Sequence, residues 1–219
     1  FATVVNTQRI ASSHSKFLDA VGSYEAIQPS RIPYKHYRLP EPSVSFDALE
    51  SLFTRRRSVR WFRDKKVPVE DIENAIRIAS LAPSACNRQP FQFHIAMGQD
   101  AAKVAELPGG AAGFLHNIPC VIAVVGNLAA YPFEKDRHLI YIDGALASMQ
   151  LMLALETLGL STCAINWPDL LSRERKVQEL LRISPSHHTV MLIAVGYADP
   201  EGEVPYSQKK TPATLMKLR

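Results

Sequence analysis

Apolar and polar residues follow two periods along most of this chain, one of about 3.6 residues and one of about 2, and the change-overs mark its elements. Residues 1–44 follow neither period. Pro29, Pro33, Pro40 and Pro42 break any long helix there, so the segment reads as an extended N-terminal arm. Phe46 to Arg57 reads as a helix with Ser45 as its N-cap, and Phe46, Leu49, Leu52 and Phe53 share one side of it. Pro68 opens a second helix, with Glu70 and Asp71 at the positive end of its dipole. Ile72, Ala75, Ile76 and Ala79 form its buried stripe, and it stops before Pro83.

Phe91 to Met97 alternates as a strand does. Ala101 to Leu107 reads as a short helix, broken by Gly109-Gly110. Pro119 to Gly126 is a continuous apolar run rich in β-branched residues, the pattern of a central strand buried on both faces. A long apolar helix follows from Leu139 to Leu160, with Gly159 in the usual C-terminal position. Ser161 to Asn166 reads as a strand, Arg173 to Arg182 as a helix with Ser172 as N-cap, and Thr189 to Gly196 as the last strand. The tail from Pro200 is polar and punctuated by proline. The class is therefore α+β, with a mixed sheet flanked by helices. No GxGxxG follows a strand and no GxxxxGK[ST] occurs, which removes a Rossmann dinucleotide fold and a P-loop nucleotidase.

Composition changes this picture little. Residues 45–219 are enough for one substantial core and read as one domain. The net charge of +4 is mild, and it argues for nucleic-acid binding only if the basic residues share a face. Arg55-Arg56-Arg57 with Arg60 and Arg63, and Lys209-Lys210, are the visible clusters; each is either a solvated face or a phosphate holder. Cys86, Cys120 and Cys163 form no CxxC pair, which argues against zinc or a redox dithiol and fits a reducing cytoplasm. Cys86 reads as a small packing residue. His187-His188 reads as a loop, and His94 and His116 as structural, so no metal site is expected. Leu139–Leu160 is long enough to cross a bilayer, but Asp143, Gln150 and Glu156 make it a buried core helix instead. The opening residues Phe1-Ala2-Thr3-Val4-Val5 lack the pattern of a signal peptide, and the absent initiator Met implies a longer native chain.

Four segments carry chemistry. They are Arg56-Arg57-Ser58-Val59-Arg60, Ala82 to Phe91 (APSACNRQPF), Thr162 to Pro168 (TCAINWP), and Lys209-Lys210-Thr211-Pro212. The first, second and fourth each have an ordinary alternative: a dipole-complementing helix end, a helix stop, a solvated tail. Taken in this order, they resemble the nitroreductase superfamily of flavin enzymes. The motifs are most similar to the branch with iodotyrosine deiodinases and the flavin-fragmenting enzyme of cobalamin biosynthesis.

The resemblance implies FMN bound at a homodimer interface, with NADH or NADPH as electron donor and a small organic acceptor such as a nitroaromatic or quinone. It implies that Arg56 and Arg57 with Ser58 serve the phosphate, and that Arg60 sits at the flavin N1/O2 edge. It places Pro83, Ser84, Ala85 and Asn87 along the ring, Gln89 at its polar edge, and Ala164, Ile165 and Asn166 near N5, with Asn166 and Arg60 as the catalytic pair. Lys210 falls at the C-terminal phosphate contact, with Lys209 next to it. FMN itself makes chemical sense of these types: a dianionic phosphate takes guanidinium and ammonium groups, and a cation near N1/O2 favours reduction. The chain departs from the deiodinase branch in two places. The third segment offers few hydroxyls near N5, and the stretch that would form a substrate lid is short. Tyr131, Glu134 and Lys135 lie in the right neighbourhood for a lid but at the wrong spacing, and read as an exposed loop.

Overall fold

The strand reading holds almost residue for residue in the computed structural model, which describes residues 33–218. The chain divides into two units, Phe1–Ser43 and Val44–Arg219. In the first, the arm expected over residues 1–44 lies mostly outside the described residues; His36–Arg38 forms one exposed 3-10 turn.

The second unit holds helices α1 (Phe46–Arg55), α2 (Val69–Ala79), α3 (Gln99–Glu106), α4 (Leu139–Thr157) and α5 (Leu171–Leu181). Its strands are β1 (Phe91–Met97), β2 (Cys120–Asn127), β3 (Ser161–Asn166) and β4 (His187–Gly196). They form one sheet in the order β1-β2-β4-β3, and every neighbouring pair is antiparallel. The mixed sheet read from the sequence is thus corrected, and the reason is topological. The β2–α4–β3 crossover does leave β2 and β3 pointing the same way. Strand β4 then returns between them and makes each contact antiparallel. Among the described residues, parallel pairing is confined to one bridge, Ser58 with Thr162.

The two-residue period sorts the core into two layers. Val121, Ala123 and Val125 of β2, Leu192 and Ala194 of β4, and Cys163 and Ile165 of β3 face Ala101, Val104 and Ala105 of α3 and Val177 of α5. On the other face Ile122, Val124, Ile193 and Val195 meet Leu151, Met152 and Leu155 of α4 and Ile72, Ala75 and Ala79 of α2. Burying each large aliphatic side chain contributes about 1.5–3 kcal/mol, so β2, closed on both faces, anchors the unit. Helix α4 approaches the sheet closely because of two glycines. A Cβ on Gly126 would stand 2.6 Å from Ile140 Cβ, and one on Gly144 would stand 3.0 Å from Val190 Cγ2.

Ser45 caps α1 by accepting from Ala48 N–H at 3.2 Å, and Gly159 takes φ +78 just past α4, as read. Two local readings are corrected. Leu170, not Ser172, is the N-cap of α5, because the helix starts two residues earlier than its polar pattern implied. His187-His188 begins β4 rather than preceding it, drawn in by pairing with Asn127 and Gly126. Helix α4 is the one helix among the described residues long and apolar enough to cross a membrane. Here it packs on α2 and the sheet, with its two carboxylates engaged by partners described below. Helix α1 buries no residue: Phe46, Leu49 and Phe53 are all exposed.

Candidate functional site

The triple-arginine run is sorted by where α1 stops. Arg55 ends the helix, and its Nε meets Glu156 Oε1 at 2.9 Å. Arg56 leaves helical geometry at φ −61, ψ 121, and the chain turns extended. Val59 N–H donates to Thr162 O at 3.0 Å, which lays this stretch along β3. Phe62 N–H then donates to Asn117 Oδ1 at 2.7 Å, Arg63 N–H to Tyr197 O at 2.9 Å, and Asp199 N–H to Trp61 O at 2.9 Å. The first motif is therefore pinned on both sides by backbone and amide contacts, and its side chains are held on a rigid support.

Arg56, Arg57, Ser58 and Arg60 line a cleft of about 240 Å³ together with Pro205, Tyr206, Ser207 and Lys209. Lys209 Nζ donates to Ser207 Oγ at 2.7 Å. No carboxylate lines the cleft. Among the described residues none of its four cations is ion-paired, and Arg56 Nε is buried with no hydrogen-bond partner. A buried guanidinium donor left open beside three more cations is costly without an anion, so the site fits a phosphate dianion. Cys163 of β3 lies against this cluster. Burial pushes its thiol up, while Arg60, Ser58 and Arg56 pull the other way.

The second motif is placed elsewhere. Residues 83–89 form a tight turn in which Cys86, Asn87 and Gln89 take φ 53, 52 and 48. Left-handed backbone costs a non-glycine residue roughly 1 kcal/mol or more, so the turn needs external support. Asp143, one turn into α4 and 2% exposed, provides it. Its Oδ2 accepts from Ser84 Oγ at 2.7 Å, Ala85 N–H at 3.1 Å and Tyr131 OH at 2.8 Å. Ser84 Oγ also accepts from Gln89 N–H at 2.8 Å. Arg88 donates to Ala130 O at 2.9 Å, and its guanidinium lies 5.6 Å from the Tyr131 ring centroid. Burial and the Asp143 contact push the Tyr131 hydroxyl up to about 12. The Ser84 hydroxyl is thus spent inside the turn. Asn87 and Gln89 stay exposed, and Gln89 Nε2 donates to Asn87 Oδ1 at 2.9 Å.

In the third motif the strand alternation separates the three residues. The Ile165 side chain is buried in the core, while Ala164 and Asn166 are exposed on the opposite face. Next to them Trp167 Nε1 donates to Glu174 Oε2 at 2.9 Å, and Glu174 Oε1 accepts from Thr189 N–H at 2.9 Å and Thr189 Oγ1 at 3.0 Å. These bonds lock the strand end that carries Asn166.

The structure therefore brings Arg56, Arg57, Ser58, Arg60 and Lys209 into one cleft and joins it to β3. Pro83, Ser84, Ala85, Asn87 and Gln89 do not line that cleft, and neither does Lys210. Cys86 is exposed in a left-handed turn, not a packing residue. Tyr131 is buried, not part of an exposed loop; Glu134 and Lys135 are exposed, and Glu134 pairs with Arg137 at 3.2 Å. Sequence reasoning missed Asp143 and Glu174. The signal for Asp143 was present as a carboxylate in an apolar helix.

The model of the "Nitroreductase family" matches residues 53–112 and 99–197. A protein of Archaeoglobus fulgidus, provisionally named an NADH dehydrogenase/NAD(P)H nitroreductase, is 27% identical over 157 residues, 71% of this chain and 87% of that one. Iodotyrosine deiodinase 1 of Mus musculus is 27% identical over 217 residues, covering 84% of this chain and 75% of its own. The fold is shared with an FMN-dependent nitroreductase from Clostridium difficile R20291, at a TM-score of 0.65 and 20% identity over 76% of this chain and 96% of that one. With the family's pattern running from the last turn of α1 through β4, across Arg56 to Arg60 and the Asp143-held turn, the chain belongs to the nitroreductase family.

Proposed function

We propose that this protein is an FMN-dependent oxidoreductase that carries electrons from NADH or NADPH to a small organic acceptor, such as a nitroaromatic or a quinone. The observation that carries the reading is the cleft of four cations and Ser58, free of carboxylate, with the buried Arg56 Nε unpartnered. Arg56, Arg57, Lys209 and Ser58 hold the phosphate by charge-assisted hydrogen bonds. FMN, when bound, supplies the two-electron chemistry between nicotinamide and acceptor. Arg60 sits at the N1/O2 edge and stabilises negative charge there. Asn166, at the open end of β3, donates its side-chain amide near N5. Asn87 and Gln89 offer amides to the ring's polar edge.

The turn that carries Asn87 does not line the arginine cleft, and a homodimer in which a second copy supplies that turn to the ring accommodates both. The apolar face of α1, α2 and α4 suits that homodimer. Leu52, Ile78, Leu81, Leu153 and Ala154 line a groove of about 320 Å³ there. A protein that stays monomeric at micromolar concentration in ultracentrifugation counts against the arrangement.

Dehalogenation is the second reading, favoured by the match to iodotyrosine deiodinase 1. Tyr131 is turned inward to Asp143, so it does not reach a substrate as a lid residue would. Anaerobic bleaching of the FMN-loaded protein by NADH or NADPH, followed by reoxidation with nitro, quinone and iodinated phenolic acceptors, separates the readings. Failure to take up FMN defeats both.

A further inference from the structure

We propose that Asp143 is a positioning residue for the cofactor ring, acting through the 83–89 turn. The inference rests on the FMN reading above. Asp143 Oδ2 gathers three donors from two separate segments: Ser84 and Ala85 of the turn, and Tyr131 from the chain ahead of α4. It is 2% exposed, and no cation among the described residues pairs with it. A buried carboxylate without a cation persists only where several donors converge on it. Ser84 passes the grip onward by accepting from Gln89 N–H. The clamp thus reaches both ends of the segment Cys86 to Gln89, in which three of four residues are left-handed, and it sets where the Asn87 and Gln89 amides point. Arg88 closes the far side by donating to Ala130 O and lying over the Tyr131 ring. Asp143 touches no reacting atom. It fixes a turn that its own backbone energetics disfavour.

The test uses the full chain with Asp143→Asn and Tyr131→Phe. Four quantities are read: amide hydrogen exchange of residues 83–91 without flavin, FMN affinity by fluorescence quenching, the visible spectrum of bound flavin, and competition by inorganic phosphate. Asp143→Asn keeps the shape and removes the charge. It is expected to speed exchange across the turn, to weaken FMN about tenfold, and to shift the bound-flavin spectrum. Phosphate competition, which reports the arginine cleft, stays as in the wild type, so a misfolded variant is recognised by losing both. Tyr131→Phe, which removes one donor and keeps the ring under Arg88, produces the same changes to a smaller degree. Wild-type-like exchange and spectrum in Asp143→Asn, in a protein that binds FMN, overturn the inference alone. A wild type that takes up no FMN overturns the functional reading, and the ring-positioning role with it.

Discussion

Val59 donates its backbone N–H to the carbonyl of Thr162 across 3.0 Å, and that bond ties the arginine motif to the open edge of β3. The carbonyl of Thr162 points away from β4. By the strand period, the backbone groups of Ala164 and Asn166 open on the same edge. Two motifs more than a hundred residues apart in the chain thereby become one surface.

Arginines 55 and 57 should separate cleanly. Arg55 is 69% exposed and occupied by Glu156, whereas Arg57 lines the cleft. Arg57→Ala is expected to weaken FMN by about tenfold or more, the worth of a lost charge-assisted bond. Arg55→Ala is expected to leave FMN affinity within about twofold but to lower stability by roughly 1–3 kcal/mol, since it strips the buried Glu156 carboxylate of its cation. Fluorescence titration and urea unfolding read the two effects.

Arg60→Ala should make bound flavin harder to reduce. In the proposed placement the guanidinium stabilises negative charge near N1/O2, so its loss is expected to lower the midpoint potential. Equilibration with reference dyes measures this, and an unchanged potential removes Arg60 from that edge.

Glu174 is 6% exposed and accepts from Trp167 Nε1, Thr189 N–H and Thr189 Oγ1. Glu174→Ala leaves these buried donors open, at about 1–3 kcal/mol for each one left unsatisfied, so a loss of about 3 kcal/mol is expected by chemical denaturation. Glu174→Gln keeps an acceptor and should lose less.

Stability should fall at high pH through Tyr131. Its hydroxyl is raised from 10.0 to about 12, so the native state holds the proton that the unfolded chain releases. The contribution is complete below pH 10 and is lost as pH rises towards 12, with a slope of up to about 1.4 kcal/mol per pH unit. Tyr131→Phe should flatten that slope. Cys120, raised from 9.0 to about 12 by burial, contributes in the same direction and persists in the variant.

Much of this fold is written locally. Pro119 to Gly126 reads as a buried strand because eight residues in a row suit no surface, one residue off the observed Cys120–Asn127, and Ser161 to Asn166 reads as the strand that is observed. Strand direction is not local, and the return of β4 between β2 and β3 leaves no mark in either strand's own pattern. Likewise Ile165 and Asn166 are neighbours in a motif but face opposite ways, a consequence of strand alternation. Asp143 is 59 residues from Ser84, so its carboxylate reads only as a charge inside an apolar helix until the fold closes.

Helix α1 holds none of its side chains in a core, yet it delivers the chain to Arg56. Helices are sustained mainly by tertiary packing, and ten residues alone are marginal in water. Its opening is therefore the cheapest cooperative fluctuation at this end of the unit. The grip on an anion in the cleft becomes coupled to a melting event. On the FMN reading, a surface that covers the bare apolar side of α1 is expected to hold Arg56 in place and so to lengthen the dwell time of the flavin.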